Sequence, residues 1–245
     1  VPLSCLVVTL STVIGIDLLA VLIEKCVDDI ARKYFWKKDD YSINNGDDDA
    51  KKKRKKKKKR KATSNIGNEN GLNAKIYDTN KLLYFIGYIY RFNGINDILV
   101  SSLVLKIISH LEKFKTTATI EKNNEAMECQ EVTDHIMTVI NVCGVQMRRS
   151  EPSLILDIVQ SIIQHVNQFN KGADRNKHIL YMMERINHLK NNRTDKLKDE
   201  NNDINVKRLK KWLGHFISIQ YNDGKDIPTL NISVNDILNR KENGR

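Results

Sequence analysis

The chain has 245 residues, 40% of them hydrophobic, which is enough for one sizeable core; three prolines and 11 glycines are too few breakers for a many-turned β-fold. Its net charge is +11, but eleven of the 41 Lys+Arg stand together at residues 51–61, and outside that tract the basic residues balance the 30 Asp+Glu. The basic excess therefore implies an anionic partner for one tract and carries no such implication for the folded part.

In chain order, residues 3–23 are apolar enough to raise a membrane span or a signal peptide. Asp17 and Gly15 interrupt the run and no basic stretch precedes it, so two buried helices joined near Gly15 are expected instead. With no initiator Met, the chain is expected to begin inside a longer protein. From Ile16 the apolar positions Leu19, Ala20, Ile23, Val27, Ile30, Ala31 and Tyr34 step by three and four, the stripe of a helix that should end near Trp36.

Residues 37–78 lose this periodicity. An acidic patch (Asp39, Asp40, Asp47, Asp48, Asp49), the basic tract and an Asn/Gly-rich stretch follow one another. Too little apolar surface is present to offset the entropy of ordering, so a disordered insertion is expected. The tract consists of Lys51, Lys52, Lys53, Arg54, Lys55, Lys56, Lys57, Lys58, Lys59, Arg60 and Lys61. It reads as a nuclear or nucleolar localisation signal, as an RNA tether with strongly salt-dependent binding, or as low-complexity expansion.

Helical patterns resume at Asp78 or Thr79, either of which can cap a helix carrying Leu82, Leu83, Phe85, Ile86, Ile89, Tyr90 and Phe92. Asn93-Gly94 breaks it. Asn96 caps the next, with Val100, Leu103, Val104, Ile107, Ile108, Leu111 and Phe114 on one face. A fourth helix is expected from Ala126 to Val142, with Gly144 near its end. Pro152 opens another, in the first turn where a missing N–H is harmless, followed by the stripe Leu154, Ile155, Ile158, Val159, Ile162, Ile163, Val166. Asp174 caps a helix bearing Ile179, Met182, Met183, Ile186 and Leu189. A polar linker then leads to a basic amphipathic helix over Val206–Ile219 and to an extended tail containing Pro228.

These seven or eight helices predict an all-α fold. Antiparallel hairpins stacked in order would make an α-solenoid of HEAT type, with a globular bundle as the alternative. The expected organisation is a first hairpin over 1–36, the insertion over 37–78, central helix pairs over 79–192, the linker and basic helix over 193–221, and a tail over 222–245 leading towards a second domain.

Catalytic chemistry has no foothold in the sequence. The six histidines show no HExxH or other ligand spacing, and there is no Gly-rich phosphate loop and no GxSxG elbow. Cys5, Cys26, Cys129 and Cys143 form no CxxC pair and fall in helical patterns, where free cysteine packs as a small hydrophobe; a reducing compartment is expected. No enzyme activity, cofactor, metal or small-molecule substrate is expected, and no membrane.

Five segments in order resemble the second half of the middle domain of initiation factor 4G, in the nucleolar branch of that family. They are LLYFIGYIYRFNGINDILVSSLVLKIISHL (82–111), VINVCGVQMRRSEPSLILDIV (139–159), ILYMMERINHLKNNRTDK (179–196), VKRLKKWLGH (206–215) and LNISVNDILN (230–239). Leu189-Lys190-Asn191-Asn192 is the most specific element. The family's first repeats and its second helical domain have no counterpart here, and the lysine tract has none in the family. The resemblance implies a non-enzymatic scaffold that binds a DEAD-box RNA helicase of the initiation-factor-4A type, keeping mainly the contact made by the late repeats. It also implies a nucleolar role in small-subunit ribosomal RNA processing, with pre-ribosomal RNA reached directly or through the helicase. Splicing and translation relatives share the fold but fit the turns less well.

On that resemblance Lys190, Asn191, Asn192 and Arg193 become candidate helicase contacts, and Arg148 and Arg149 are candidates for contact with an acidic helicase surface or with RNA. Each has a plainer reading. Arg148 and Arg149 make a solvated pair between two helices, beside a helix N-terminus. Lys190, Asn191, Asn192 and Arg193 are ordinary helix-end residues, favoured by the helix dipole and the left-handed conformation. Met182 and Met183 read as core filler, and Tyr84, Tyr88 and Tyr90 mostly as packing. Trp212 reads as an anchor that docks its own helix, with a partner or RNA as the alternative.

Overall fold

The structure, a computed structural model, describes residues 1–35, 78–110, 122–169, 177–193, 200–221 and 227–240, with backbone alone at 122–129, 167–169 and 200–202. Trp36, the insertion up to residue 77, the basic tract, Leu111, Phe114 and the Asp174 cap lie outside the described residues. Among those described, the chain is all-α, with nine helices: α1 (Pro2–Ile14), α2 (Ile16–Tyr34), α3 (Thr79–Arg91), α4 (Asp97–His110), α5 (Lys122–Ser150), α6 (Pro152–Phe169), α7 (Lys177–Lys190), α8 (Glu200–Tyr221) and α9 (Val234–Asn239).

Gly15 divides the apolar start because it adopts φ 134, where a side chain would be strained. Among the described residues no helix is long and apolar enough to cross a membrane. The Asp78 side chain accepts from the Asn80 N–H at 3.1 Å, and the Asn96 side chain accepts from the Leu99 N–H at 3.1 Å, so both expected caps form. Asn93 stops α3 at φ 62. Its N–H donates to the Tyr90 carbonyl at 2.9 Å, and the Gly94 N–H to the Ile89 carbonyl at 3.0 Å.

The expected end of the fourth helix near Val142 is corrected. Helix α5 runs through Gly144 to Ser150, and Glu151 alone separates it from α6. The reason is tertiary. A Cβ on Gly144 would meet Leu189 Cδ2 at 3.1 Å, so this glycine admits α7 against α5 and does not terminate anything. Arg148 and Arg149 accordingly belong to the last turn of α5 and do not lie in a loop. Helix α8 also begins earlier than Val206, at Glu200.

Helices pack in two rows. The first runs α1, α3, α5, α7; the second places α4 beside α6, with α9 touching both α2 and α4. The α1/α2, α3/α4 and α5/α6 pairs join the rows. Contact within the first row is close because Gly87 faces α5: a Cβ there would meet Val142 Cγ1 at 2.8 Å and Cys143 Sγ at 3.1 Å. Val142 is β-branched and buried, so it has little room to yield. Gly87→Ala should therefore cost roughly 1–3 kcal/mol through overpacking, despite alanine's better helix propensity. A urea melt unchanged or stabilised in that variant would show that the two helices can separate freely.

The tail departs most from expectation. Residues 227–233 form no helix, but they are held rather than free. Ile95 and Leu230 form a parallel β-bridge, with Leu230 N–H donating to the Gly94 carbonyl at 2.9 Å and Asn96 N–H to the Leu230 carbonyl at 3.2 Å. Ser233 and Asp236 then cap α9 reciprocally, and Arg240 pairs with Glu24 on α2. Val234 and Ile237 are buried, which covers apolar surface between α2 and α4 and explains why this segment does not stand away from the fold.

Candidate basic edge

The C-terminal ends of α3, α5 and α7 carry basic residues in their last turns: Arg91, then Arg148 and Arg149, then His188 and Lys190. The arginines and the lysine there complement the exposed carbonyl ends of the helices, which gives them a structural reason to exist. The structure also brings two of the predicted groups together. Arg148 Nη2 donates to the Lys190 carbonyl across 42 residues, at the long end of hydrogen-bond distance, 3.4 Å. Arg149, Lys190, Asn191, Asn192 and Arg193 are exposed, and Arg148 is half-buried.

The Lys190–Arg193 segment is a tight helix stop. Arg193 N–H donates to the His188 carbonyl at 2.8 Å and Asn192 N–H to the Leu189 carbonyl at 3.2 Å, with Asn192 at φ 57. Asparagine is among the few side chains that accept this conformation. The plainer reading thus accounts fully for the backbone of Asn192. Its exposed amide, like the charges of Lys190 and Arg193, remains available to a partner. Asn192→Gly should leave stability unchanged or slightly raised, whereas Asn192→Val should lower it by about 1–2 kcal/mol; thermal melts of the two variants check this.

A second set of residues ties the edge to α8. Gln146 Nε2 donates to the Tyr90 carbonyl at 3.2 Å and to Asn93 Oδ1 at 3.3 Å, while its Oε1 accepts from Lys210 Nζ at 3.3 Å. Arg91 pairs with Asp203 at 2.6 Å. Desolvation first, and then the Arg91 charge, push the Lys210 ammonium below its ordinary pKa. Beneath these contacts, Tyr90 and Ser150 both donate to Asp97 Oδ1, the latter at 2.7 Å, which fixes the start of α4 against the ends of α3 and α5. Desolvation first, and then the hydrogen bond to Asp97, raise the Tyr90 pKa far above its ordinary value. Nothing in the local sequence pattern marks Gln146, Arg91 or Asp203, because each acts through a partner at least 50 residues away.

Other singled-out residues fall where packing wants them. Met182 is fully buried and Met183 lies against the core. Tyr88 and Tyr90 are buried; Tyr84 is partly open and stacks on Tyr88. Cys5, Cys26 and Cys143 are buried free thiols, and desolvation raises each pKa, that of Cys26 to about 11. His135 and His110 both engage Tyr34, the first at its hydroxyl and the second at its carbonyl. Among the described residues no group of three or more His, Cys, Asp or Glu could hold a metal ion.

Trp212 is the exception. It does not dock α8: Val206, Leu213 and Ile217 do so, while Trp212 remains 49% exposed.

Comparison with known proteins returns no relative: no family model matches the chain, no curated protein matches it, and no solved structure matches it.

Proposed function

We propose that this chain is a non-enzymatic scaffold of the initiation-factor-4G middle-domain type that binds and stimulates a DEAD-box RNA helicase. Its helix hairpins stack as an α-solenoid of HEAT type. It acts in the nucleus, at the nucleolus, in small-subunit ribosomal RNA processing. The two rows of helices support the solenoid reading. The observation that carries the helicase reading is the meeting of Arg148 with Lys190, which gathers residues 148–149 and 190–193 on one exposed basic edge. Any ATP belongs to the helicase; the scaffold contributes tighter binding to one helicase conformation than to the other.

Arg149 and Arg193 are the residues to test, since both are exposed and neither is needed for packing. The double charge reversal Arg149→Glu/Arg193→Glu should weaken binding to an initiation-factor-4A-type helicase by roughly tenfold or more while leaving the thermal melt in place. Unchanged affinity in a folded variant would remove the edge from the interface. A second reading, direct RNA binding, is favoured by the eleven consecutive cations at 51–61. Deleting them removes the tract's share of RNA binding on that reading, and leaves helicase binding intact on the first.

A further inference from the structure

The outer face of α8 has no structural task in this fold. Val206, Leu213 and Ile217, at positions i, i+7 and i+11, turn one stripe of the helix onto α1 and its neighbours and are buried. Cys5 on α1 lies against the Leu209 carbonyl, and Tyr221 donates to the Thr12 carbonyl at 2.6 Å, so the helix is fastened along its length. The opposite face carries Arg208, Lys211, Trp212 and His215, all exposed. From residue 204 to residue 221 the sequence has no Asp or Glu, so the face has one sign of charge.

The aromatic group on this face is held in place. Trp212 stacks on Phe216 with ring centroids 5.7 Å apart and planes 21° from parallel, while half of the residue's surface stays in water. Gly214, between them, has open space where a Cβ would stand. A tryptophan that only filled the core would lie against α1 with Leu213. A tryptophan fixed flat by a second ring, half open and set among cations one helical turn apart, suits a planar, anionic ligand.

We propose that this face of α8 binds single-stranded nucleic acid, with Trp212 stacking on a base and Arg208, Lys211 and His215 facing the phosphates. Single strands fit because only an unstacked base offers its face to an indole. An acidic peptide would satisfy the cations but would leave the flat aromatic surface without a partner. Its residues are neither those of the basic tract nor those of the helicase edge, so it stands or falls independently of the proposed scaffold role.

The test follows Trp212 itself. In the full chain carrying Trp36→Phe, Trp212 is the remaining tryptophan. Titration with single-stranded oligouridylate should quench its fluorescence, and polyglutamate or phosphatidylserine vesicles at equal charge should not. In the chain lacking residues 51–61, Trp212→Ala should weaken binding of labelled oligouridylate roughly 5- to 100-fold, with Trp212→Phe retaining most of the affinity. Arg208→Ala and Lys211→Ala should each lower the slope of log affinity against log salt by about 0.7. Because Trp212 lies outside the core, the Ala variant should melt at the parent's temperature. The proposal is overturned if Trp212→Ala binds as tightly as its parent. Quenching by polyglutamate at least as strong as by oligouridylate would assign the face to an acidic protein, and quenching by vesicles would assign it to an anionic membrane surface; either would also overturn it.

Discussion

Phe92→Ala will lower the unfolding free energy by about 3–5 kcal/mol, the range for deleting a large aromatic side chain from a packed core. Phe92 is 1% exposed and caps α3, its N–H donating to the Tyr88 and Ile89 carbonyls at 3.0 and 3.1 Å. The turn it begins is where several segments meet. A Cβ on Gly94 would touch Val8 of α1 and Leu19 of α2, and the Asn93 and Gly94 carbonyls accept from Thr229 and Leu230 of the tail. A cavity here is hemmed in by the turn's own hydrogen bonds, which limits collapse and keeps the loss near the upper end of the range. Urea denaturation followed by circular dichroism reads the effect; a loss below about 1 kcal/mol would mean that this junction contributes little to holding α1, α2, α3 and the tail together.

Stability will also fall as the solution is acidified from about pH 6.5 to about pH 4, by on the order of 1–2 kcal/mol from one side chain once solvent screening is allowed for. His135 is 1% exposed, engages the Tyr34 hydroxyl and meets the Tyr34 ring edge-on at 5.7 Å. Burial first, and then the Lys33 charge, push its pKa down to about 4 from 6.5, against smaller opposing effects of Glu131, Asp134 and Asp78. The sign follows from the neutral folded form. Above about pH 6.5 neither folded nor unfolded chain protonates this ring, and its contribution is fully present. Below that, the unfolded chain takes up a proton that the folded chain refuses, so unfolding gains until about pH 4, where the folded form protonates too. Urea midpoints measured across this window should drop for the parent and drop less for His135→Leu. Parallel pH curves for the two would place the protonation elsewhere.

Much of the fold is legible from periodicity. The stripes of α2, α4 and α6, the caps at Asp78 and Asn96 and the stop at Asn93-Gly94 are local signals, and local chemistry decides them. What escapes the sequence is settled between distant residues. Gly144 looks like a terminator until Leu189 is seen against it. The tail looks like a linker until Leu230 meets Ile95. Trp212 sits within an amphipathic pattern whose apolar stripe is complete without it. The candidate edge is legible in its members, Arg148, Arg149 and the 190–193 segment, but their proximity depends on α5 packing against α7. Resemblance to a family nominates those residues, and helix capping independently explains the conformation of Asn192.

The scaffold role is tested most directly by capture of DEAD-box helicases from nuclease-treated nuclear extract at about 300 mM salt, where nonspecific charge contacts are screened. The chain is used with and without residues 51–61. An initiation-factor-4A-type helicase should be recovered equally by both. Recovery that disappears with the tract would mean that the lysines were holding nucleic acid, and would contradict a helicase-binding surface on the helices.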